Sequence, residues 1–379
     1  MRKTIFLILL TLILNNACQF AQKKIISEEI LKNELQKIRD EGSIPGISLA
    51  VIMPGDELIT ACVGYSDKEK QILMKPDDVM FSGSTGKTFC AATILQLQDE
   101  GKLHVDDLLS VYFGSESWFS KIPNAEKLTL RMLLNHTSGL ERYEFDDSIA
   151  IKLKENPDKV WTGEERLSHI YGKPALHQPG EGWAYSDTNY IILGMLIEKL
   201  TGNEYYDEIN KRFFVPYKLE NTFPGNSRII TRLIPGYSAF SKEFAVPEKV
   251  LLDDGRFAFN PQMEFTGGGI ACTTSDLARW GKLYYGGRVL SEQALEMLRT
   301  PSIHKTNLDD NAGYGFASFV WDENNQLSYG HTGFFPGYVT IIEYIPELDI
   351  SIAMQWNTDR KNPGKSLHRY LDQIKKIII

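Results

Sequence analysis

The sequence predicts an α+β fold, in which one antiparallel sheet takes its strands from both ends of the chain and a mostly helical segment lies between them. Short aliphatic segments bounded by turn residues occur near both ends, whereas the middle of the chain shows helical periodicity. With 379 residues, 42% of them hydrophobic, the chain can bury one large core or two lobes. A sheet interrupted by helices implies two lobes with a cleft between them.

The first residues are typical of an export signal. Met1-Arg2-Lys3 is basic and precedes an apolar run over residues 4–14, which is shorter than the roughly 20 residues of a membrane-spanning helix. Phe20-Ala21-Gln22 favours cleavage after Ala21, so that residues 1–21 form a signal peptide. Ala17-Cys18 leaves open a lipidated cysteine instead. We expect an exported protein, periplasmic or secreted, that contacts a membrane only if Cys18 is lipidated.

The elements near the two ends follow from short-range patterns. Residues 26–39 have apolar side chains at helical spacing and predict a surface helix. Residues 46–52 and 58–63 flank Pro54-Gly55-Asp56 and predict a β-hairpin. Four later segments repeat the strand pattern: 316–321, 326–330, 338–344 and 350–355. We expect all six segments to be strands of one sheet.

The middle of the chain is predicted to be helical. Its periodic segments are 88–99, 128–134, 190–200, 204–213, 275–285 and 291–298. These patterns predict one domain over residues 24–379 with a helical lobe at about 88–265. Residues 217–266 lack regular periodicity, and we expect loops there that shape a pocket.

The composition argues against nucleic-acid binding and against a metal site. Lys plus Arg number 41 against 49 Asp plus Glu, a net charge of −8, and the chain has no basic run, which argues against nucleic-acid binding. The four cysteines are scattered, and the seven histidines include no cluster at metal-ligand spacing. We therefore expect chemistry without a metal or another cofactor.

Ser84-Thr85-Gly86-Lys87 opens a predicted helix and is the first candidate for catalysis. Residues three apart share a helix face, so the Ser84 hydroxyl and the Lys87 amine can meet. The positive helix N-terminus disfavours an ammonium and favours an oxyanion, as a serine nucleophile requires. Two other interpretations stay open. Ser84 also fits a helix cap beside a solvated lysine. The segment also partly matches a phosphate-binding loop, but that loop requires a glycine five residues before Gly86, where this chain has Phe81. The spacing also occurs at Ser302-Ile303-His304-Lys305, without a following apolar helix.

Two later segments add candidate groups. Tyr185-Ser186-Asp187 is predicted to be a loop before the helix at residue 190, and a tyrosine beside a lysine can relay a proton if its pKa falls well below about 10. Gly330-His331-Thr332-Gly333 is predicted to end a strand before Phe334, where small residues let backbone N–H groups approach a substrate oxygen. Taken singly, Tyr185 also fits a half-buried aromatic and His331 a structural histidine.

In this order, the three segments resemble the serine β-lactamase-related family, which includes class C β-lactamases, D-Ala-D-Ala carboxypeptidases, D-aminopeptidases and esterases. The resemblance extends over residues 44–356 and includes Asn135-His136-Thr137-Ser138-Gly139 and Gly267-Gly268-Gly269. We expect His136 to be structural.

The resemblance implies the β-lactamase/transpeptidase-like fold and a role for each matched residue. Ser84 would attack a carbonyl and form an acyl-enzyme that water hydrolyses, while Lys87 and Tyr185 share the proton transfers. The backbone N–H groups of Ser84 and of Phe334, which follows Gly333, would bind the oxyanion. His331 and Thr332 would hold the leaving side or a substrate carboxylate.

Two departures from the family pattern bear on the substrate. Asp187 stands where the family usually has asparagine. A carboxylate cannot donate a hydrogen bond to a substrate carbonyl. Near Lys87 it would also raise the pKa of the lysine and move the role of the base toward Tyr185. His331 stands where β-lactamases have lysine, and an ordinary histidine is only partly charged at neutral pH.

We therefore expect an esterase or a D-amino-acid peptidase or carboxypeptidase acting on a small ester, peptide or β-lactam. Two alternatives remain. One is a true class C-like β-lactamase; the other is a non-catalytic penicillin-binding-like sensor or peptidoglycan-binding protein.

Overall fold

A computed structural model of the protein describes residues 27–240, 244, 246–303, 305–306, 308, 312–323, 325–360 and 366–379. The expected signal peptide, with Cys18, lies outside the described residues, as does His304 of the second serine–lysine match. Across the described ranges, no helix combines the length and the apolar character needed to cross a membrane.

The fold is α+β, as the sequence predicts. In chain order the strands are β1 (Gly46–Ile52), β2 (Leu58–Asp67), β3 (Ile72–Leu73), β4 (Met80–Phe81), β5 (Thr222–Pro224), β6 (Ile270–Cys272), β7 (Ala312–Tyr314), β8 (Phe319–Glu323), β9 (Gln326–Phe335), β10 (Tyr338–Ile345) and β11 (Ile350–Trp356). The α-helices are α1 (Glu28–Gly42), α2 (Lys87–Asp99), α3 (Ser110–Phe113), α4 (Leu130–Leu134), α5 (Asp147–Glu155), α6 (Gly163–Leu167), α7 (Asp187–Thr201), α8 (Tyr205–Ile209), α9 (Thr274–Tyr285), α10 (Glu292–Arg299) and α11 (Leu367–Ile378).

The large sheet joins the two ends of the chain. Its eight strands have the order β3-β2-β1-β11-β10-β9-β8-β7, and every neighbouring pair is antiparallel. The join is between β1 and β11, where Ile47 lies opposite Trp356. This confirms the predicted sheet built from both chain ends.

Alternating side chains of the sheet supply two cores. On β1, Ile47, Leu49 and Val51 pack with buried side chains of α1 and α11, whereas Ala50 and Ile52 face the other core, which includes α9. Helix α1 contributes Leu31, Leu35 and Ile38, and α11 contributes Leu371 and Ile374. The sheet is therefore covered on both faces.

Two strand boundaries differ from the predictions. The strand predicted over 316–321 begins only at Phe319, because Gly315 N–H bonds to Ser318 O (2.8 Å) in a turn where Ala317 has a φ of +47°. The strand predicted over 326–330 continues to Phe335 as β9. The prediction that His331 and Gly333 lie at a strand end is therefore wrong; they pair inside the sheet with Ile342 and Thr340.

Most described elements between β4 and β6 are helical, and β5 is the exception. The segment predicted to begin at residue 190 begins as α7 at Asp187, so the prediction that all of Tyr185-Ser186-Asp187 is loop is wrong. Ser186 is still extended (φ −149°) and Asp187 begins the helix, where a carboxylate is favoured by the partial positive charge of the N-terminus. The predicted helix over 204–213 splits into α8 and the π-helical turn Asn210–Phe214.

The smaller sheet, with strand order β4-β6-β5, supports the start of α2. Met80 and Phe81 of β4 pair with Cys272 and Ala271 of β6. The irregular segment between residues 217 and 266 carries β5 and the 3-10 turn Pro261–Met263, and it runs into a second such turn, Phe265–Gly267. Met263 and Glu264 of this segment line the cavity beside Ser84, which confirms the expectation that it shapes a pocket.

The packing of α1 on the sheet generates a stability prediction. Leu35→Ala removes a fully buried side chain, and we expect the free energy of unfolding to fall by about 2–5 kcal/mol. Asn33→Ala, on the exposed face of the same helix, is the control and should stay within about 0.5 kcal/mol. The measurement is the urea midpoint at unchanged m-value; equal midpoints for the two variants would contradict this packing.

Candidate active site

Ser84 lies where the helical part of the chain meets the large sheet. It belongs to the 3-10 turn Gly83–Gly86, which leads directly into α2. Gly83 has a φ of +54°, and a Cβ atom placed there would come within 2.6 Å of the backbone nitrogen of Phe334. The turn therefore needs glycine both for its conformation and for its close approach to β9.

Lys87, the first residue of α2, is completely buried beside Ser84. Its Nζ donates to Ser84 Oγ at 3.1 Å, to Asp187 Oδ1 and to the carbonyl oxygen of Gly267. These contacts use all three N–H donors of an ammonium. Burial opposes the charge, but the Asp187 carboxylate outweighs it and raises the pKa of Lys87 above its ordinary value, as the sequence predicted.

Tyr185 lies over the same two residues. Its ring is partly exposed. Its Oη is buried and has no hydrogen-bond partner among the described residues. Burial raises the pKa of Tyr185 to about 12, although nearby Lys87 opposes this rise. The fall in pKa that a phenolate would require is therefore absent, and the resting side chain is a neutral phenol.

His331 is buried and uncharged. Its Nδ1 donates to the carbonyl oxygen of Thr332 (2.6 Å), so its Nε2 accepts from the hydroxyl of Tyr314 at 2.8 Å. Burial, together with the charge of Lys87, lowers the pKa of His331 to about 3. The expectation of a partly charged histidine at neutral pH is wrong, because the sheet interior removes the ring from water.

The backbone of β9 forms one wall of the cleft. A Cβ atom on Gly333 would clash with the carbonyl oxygen of Ser82 and lie 3.3 Å from the backbone nitrogen of Ser84. Thr332 and Phe334, on either side of Gly333, are partly exposed and line the main cavity with Ser84. The geometry thus brings together the backbone N–H groups of Ser84 and Phe334, which the family resemblance implies as an oxyanion site.

Asp187 connects Lys87 to an arginine that the sequence analysis missed. Arg142 Nη2 donates to Asp187 Oδ2 at 2.8 Å, and its Nε donates to Glu144 Oε1 at 2.6 Å. Burial raises the carboxyl pKa of Asp187, but Lys87 and Arg142 outweigh it, and the pKa is lowered far below its ordinary value. Asp187 is therefore a permanent anion held between two cations.

Two further acidic side chains, also missed, stand beside this group. Burial and the charge of Asp187 raise the pKa of Glu144 well above its ordinary value. The same two causes raise the pKa of Glu264 to about 7, with smaller opposing effects from Lys87 and Arg142.

The signal for these residues was their proximity to matched motifs. Arg142 and Glu144 lie three and five residues after Gly139, and Glu264 lies three residues before Gly267.

Ser84 opens onto two cavities. The larger, of about 670 Å³, is bounded by Tyr185 and by His331 to Phe334, and it extends to α11. The smaller, of about 60 Å³, is lined by Glu144, Asp187 and Glu264 together with Phe145, Phe244 and Phe334. Both lie beside the same hydroxyl, so a ligand at Ser84 can project groups into each.

His136 is structural, as expected. It is buried with a φ of +63°, and its Nδ1 accepts from the backbone N–H of Ser186 at 3.2 Å and lies 3.0 Å from Nδ2 of Asn189. Its ring lies 4.2 Å from the ring of Tyr185. It therefore fixes the approach to α7 and packs against the ring of Tyr185.

One group of described side chains has the spacing of a metal site: Glu323, His368 and Asp372. Lys375 Nζ lies among them, 3.1 Å from Glu323 and 2.7 Å from Asp372. The lysine supplies the positive charge that a metal ion would bring, so this group fits a salt-bridge cluster that anchors α11.

Comparison with known proteins gives consistent results. A sequence model of the family described as Beta-lactamase matches residues 31–375. Penicillin-binding protein 4* of Bacillus subtilis (strain 168) is 29% identical over 306 residues, which are 77% of this chain. The chain spans 63% of that relative's length.

Solved structures share the fold. A D-stereospecific amidohydrolase from Streptomyces sp. has a TM-score of 0.74 at 26% identity, with 88% of this chain and 93% of that chain covered. The D-amino acid amidase from Ochrobactrum anthropi SV3, complexed with L-phenylalanine amide, has a TM-score of 0.74 at 24% identity, with 92% and 97% covered. At 24% identity, the similarity to the D-amino acid amidase shows a shared fold only.

The buried His331 gives a direct pH prediction. Because its pKa is about 3 in the folded protein and about 6.5 in an unfolded chain, its ring should stay neutral from pH 8 to pH 5. Its contribution to stability is full above about pH 6.5 and is lost as the pH falls toward 3. The measurement is NMR of ¹³C-labelled histidine, with His331→Gln for assignment and the urea-unfolded protein as control. A His331 signal that titrates near 6.5 in the folded protein would refute this assignment.

Proposed function

This chain belongs to the Beta-lactamase family, and from that premise we propose that it is a serine hydrolase that forms an acyl-enzyme on Ser84 and hydrolyses amides or esters of D-amino acids. The observation that carries the proposal is the contact of Lys87 Nζ with Ser84 Oγ at 3.1 Å, at the helix N-terminus and beside the Phe334 backbone. This combination supplies a nucleophile, proton-transfer groups and oxyanion donors around one point.

In the proposed reaction, Ser84 Oγ attacks the substrate carbonyl carbon and its proton passes to Tyr185 or Lys87. The N–H groups of Ser84 and Phe334 stabilise the negative charge on the carbonyl oxygen. The proton then goes to the leaving nitrogen or oxygen as its bond to the acyl carbon breaks. Water attacks the acyl-enzyme by the reverse proton path and releases the acid.

At neutral pH, both groups that could accept the Ser84 proton are themselves protonated. Lys87 is an ammonium held by Asp187, and Tyr185 is a phenol with a pKa of about 12. Attack by Ser84 therefore requires one of the two groups to lose a proton first. The rate should consequently increase with pH through the alkaline range.

The choice of substrate rests on two observations. Asp187 is ionised and cannot donate a hydrogen bond to a substrate carbonyl, which disfavours the recognition expected of an efficient β-lactamase. The structural relative at 26% identity is a D-stereospecific amidohydrolase. A second candidate is acylation by penicillins, which the similarity to Penicillin-binding protein 4* favours.

We also propose that the protein is exported. The proposal is supported by the basic and apolar residues 1–14 and by the cleavage pattern after Ala21, with lipidation at Cys18 as the alternative. Mass spectrometry of the N-terminal peptide from the native host distinguishes the two.

The nucleophile is tested by intact mass. Brief incubation of the mature protein with a p-nitrophenyl ester of D-phenylalanine should add one acyl group, and Ser84→Ala should lose both the adduct and p-nitrophenol release. Penicillin, tested separately, shows whether the second candidate applies. Ser302→Ala, at the other serine–lysine match, is the control and should keep the adduct. An adduct that persists in Ser84→Ala would contradict the proposal.

The role of Asp187 is tested by a pH profile. Asp187→Asn removes the main charge that raises the pKa of Lys87, so the pH dependence of Ser84 acylation should move at least about one unit toward lower pH. Asp67→Asn, which removes one of the two carboxylates that pair with Lys249, is the control and should leave the profile in place. An unmoved profile in Asp187→Asn would mean that Lys87 does not take part in the rate-limiting proton transfer.

A further inference from the structure

Asp359 is a buried residue that joins two segments at one edge of the larger cavity. It lies three residues after the end of β11 and against the cavity that opens from Ser84. Its Oδ2 accepts from the backbone N–H of Gly337 at 2.8 Å and from Ser238 Oγ at 2.7 Å. Its Oδ1 accepts from the backbone N–H of Ala239 at 2.5 Å. Three donors thus replace the hydration that the buried carboxyl loses.

The bond from Gly337 holds the turn that follows the oxyanion strand. Pro336 and Gly337 connect β9 to β10, and Gly337 has a φ of +86°. In this hairpin Phe334, whose N–H group belongs to the proposed oxyanion site, lies opposite Val339. Phe334 is three residues from Gly337, so Asp359 fixes the turn into which the oxyanion strand runs.

The other two bonds hold the loop that faces Phe334. Ser238 Oγ donates to Asp359 and accepts from the backbone N–H of Phe240 at 3.1 Å. The ring of Phe240 meets the ring of Phe334 edge to face, with ring centroids 5.5 Å apart. Both rings line the larger cavity. A chain of two hydrogen bonds therefore runs from Asp359 to the aromatic residue that packs on Phe334.

The loop and the turn also touch through their backbones. A Cβ atom placed on Gly236 would come within 2.6 Å of the carbonyl oxygen of Gly337. The backbone N–H of Tyr237 donates to the carbonyl oxygen of Asn357 at 3.0 Å, and that of Asp359 donates to the carbonyl oxygen of Tyr237 at 3.3 Å. The loop is thus attached to the residues that follow β11, and the Asp359 side chain links it to the turn between β9 and β10.

We propose that Asp359 is a positioning residue for the reaction at Ser84, because it sets where the Phe334 N–H group stands relative to the Ser84 N–H group. The proposal rests on the proposed function, since it concerns the same two oxyanion donors. Asp359 acts through Phe334 and transfers no proton. An oxyanion site is used most fully in the transition state, so loss of Asp359 should slow acylation more than it weakens substrate binding.

The test compares a ligand that uses the oxyanion site with one that does not. Phenylboronic acid forms a bond between its boron and Ser84 Oγ, the Oγ proton passes to solvent, and the boron becomes a tetrahedral anion. One of the oxygens on that boron takes the place of the oxyanion. The second ligand is D-phenylalaninamide, whose binding is measured in the Ser84→Ala background.

Asp359→Asn keeps the shape of the side chain and replaces one acceptor oxygen by an N–H₂ group. We expect this change to weaken phenylboronic acid binding about tenfold or more, because misplacing an oxyanion donor costs part of the 10²- to 10³-fold lost when a donor is deleted. Acylation by the p-nitrophenyl ester of D-phenylalanine should slow by a similar factor. Binding of D-phenylalaninamide should stay within about twofold.

A second variant tests the link to the loop. Ser238→Ala removes the hydroxyl that joins Asp359 to Phe240 and keeps the bond to Gly337. It should weaken phenylboronic acid binding in the same direction and by less. This variant also decides the proposal if Asp359→Asn does not fold, which urea midpoints report.

Asp107→Asn is the matched control. Asp107 also accepts from a backbone N–H, that of His104 at 2.7 Å, and from a hydroxyl, that of Tyr112 at 2.5 Å. It lies outside both cavities at Ser84. Its replacement should leave the binding of both ligands and the rate of acylation unchanged.

The outcomes separate this proposal from the proposed function. Equal losses for the two ligands overturn the positioning role, because general loosening weakens both, and so does unchanged phenylboronic acid binding in Asp359→Asn and Ser238→Ala. If the wild-type protein forms neither adduct, the proposed function fails instead. The ¹⁵N signal of the Phe334 amide, assigned with Phe334→Leu, then decides: it should move in Asp359→Asn and not in Asp107→Asn, and an unmoved signal overturns the positioning.

Discussion

The buried ion pair between Lys87 and Asp187 is the interaction on which the rest of the site depends. An ammonium with no exposed surface loses its hydration, and only close acceptors compensate for that loss. Asp187, Gly267 and Ser84 provide these acceptors from three separate parts of the chain. The pair therefore fixes α2, α7 and the loop before β6 around one nitrogen atom.

A second constraint is the contact between two backbones. The turn that carries Ser84 approaches β9 so closely that neither Gly83 nor Gly333 has room for a side chain. The position of β9 is in turn set by its register with β10, in which Gly333 lies opposite Thr340. The large sheet therefore determines where the oxyanion donors stand, although Ser84 belongs to the helical part.

The sequence was sufficient for features encoded by local patterns. Six of the eight strands of the large sheet and α2 follow from short-range patterns, and Ser84 and Lys87 from their spacing, whereas the short strands β3 and β7 were not predicted. The sequence analysis did not identify Arg142 and Glu264, because they lie 45 and 77 residues from Asp187 and only the fold brings them to it. The pKa values of His331 and Tyr185 could not be predicted from the sequence either, because both are set mainly by burial under elements that are distant in the chain.

Asp187 cannot be judged as a single replacement of asparagine, because its charge belongs to a balance among five side chains. Asp187 stabilises the ammonium of Lys87, which makes the lysine a poorer base in the empty site. The same carboxylate raises the pKa values of Glu144 and Glu264, so replacing it by asparagine would change the protonation of both acids as well as that of the lysine. Proton transfer at Ser84 therefore depends on the whole cluster of charges and not on the pair of Lys87 and Asp187 alone.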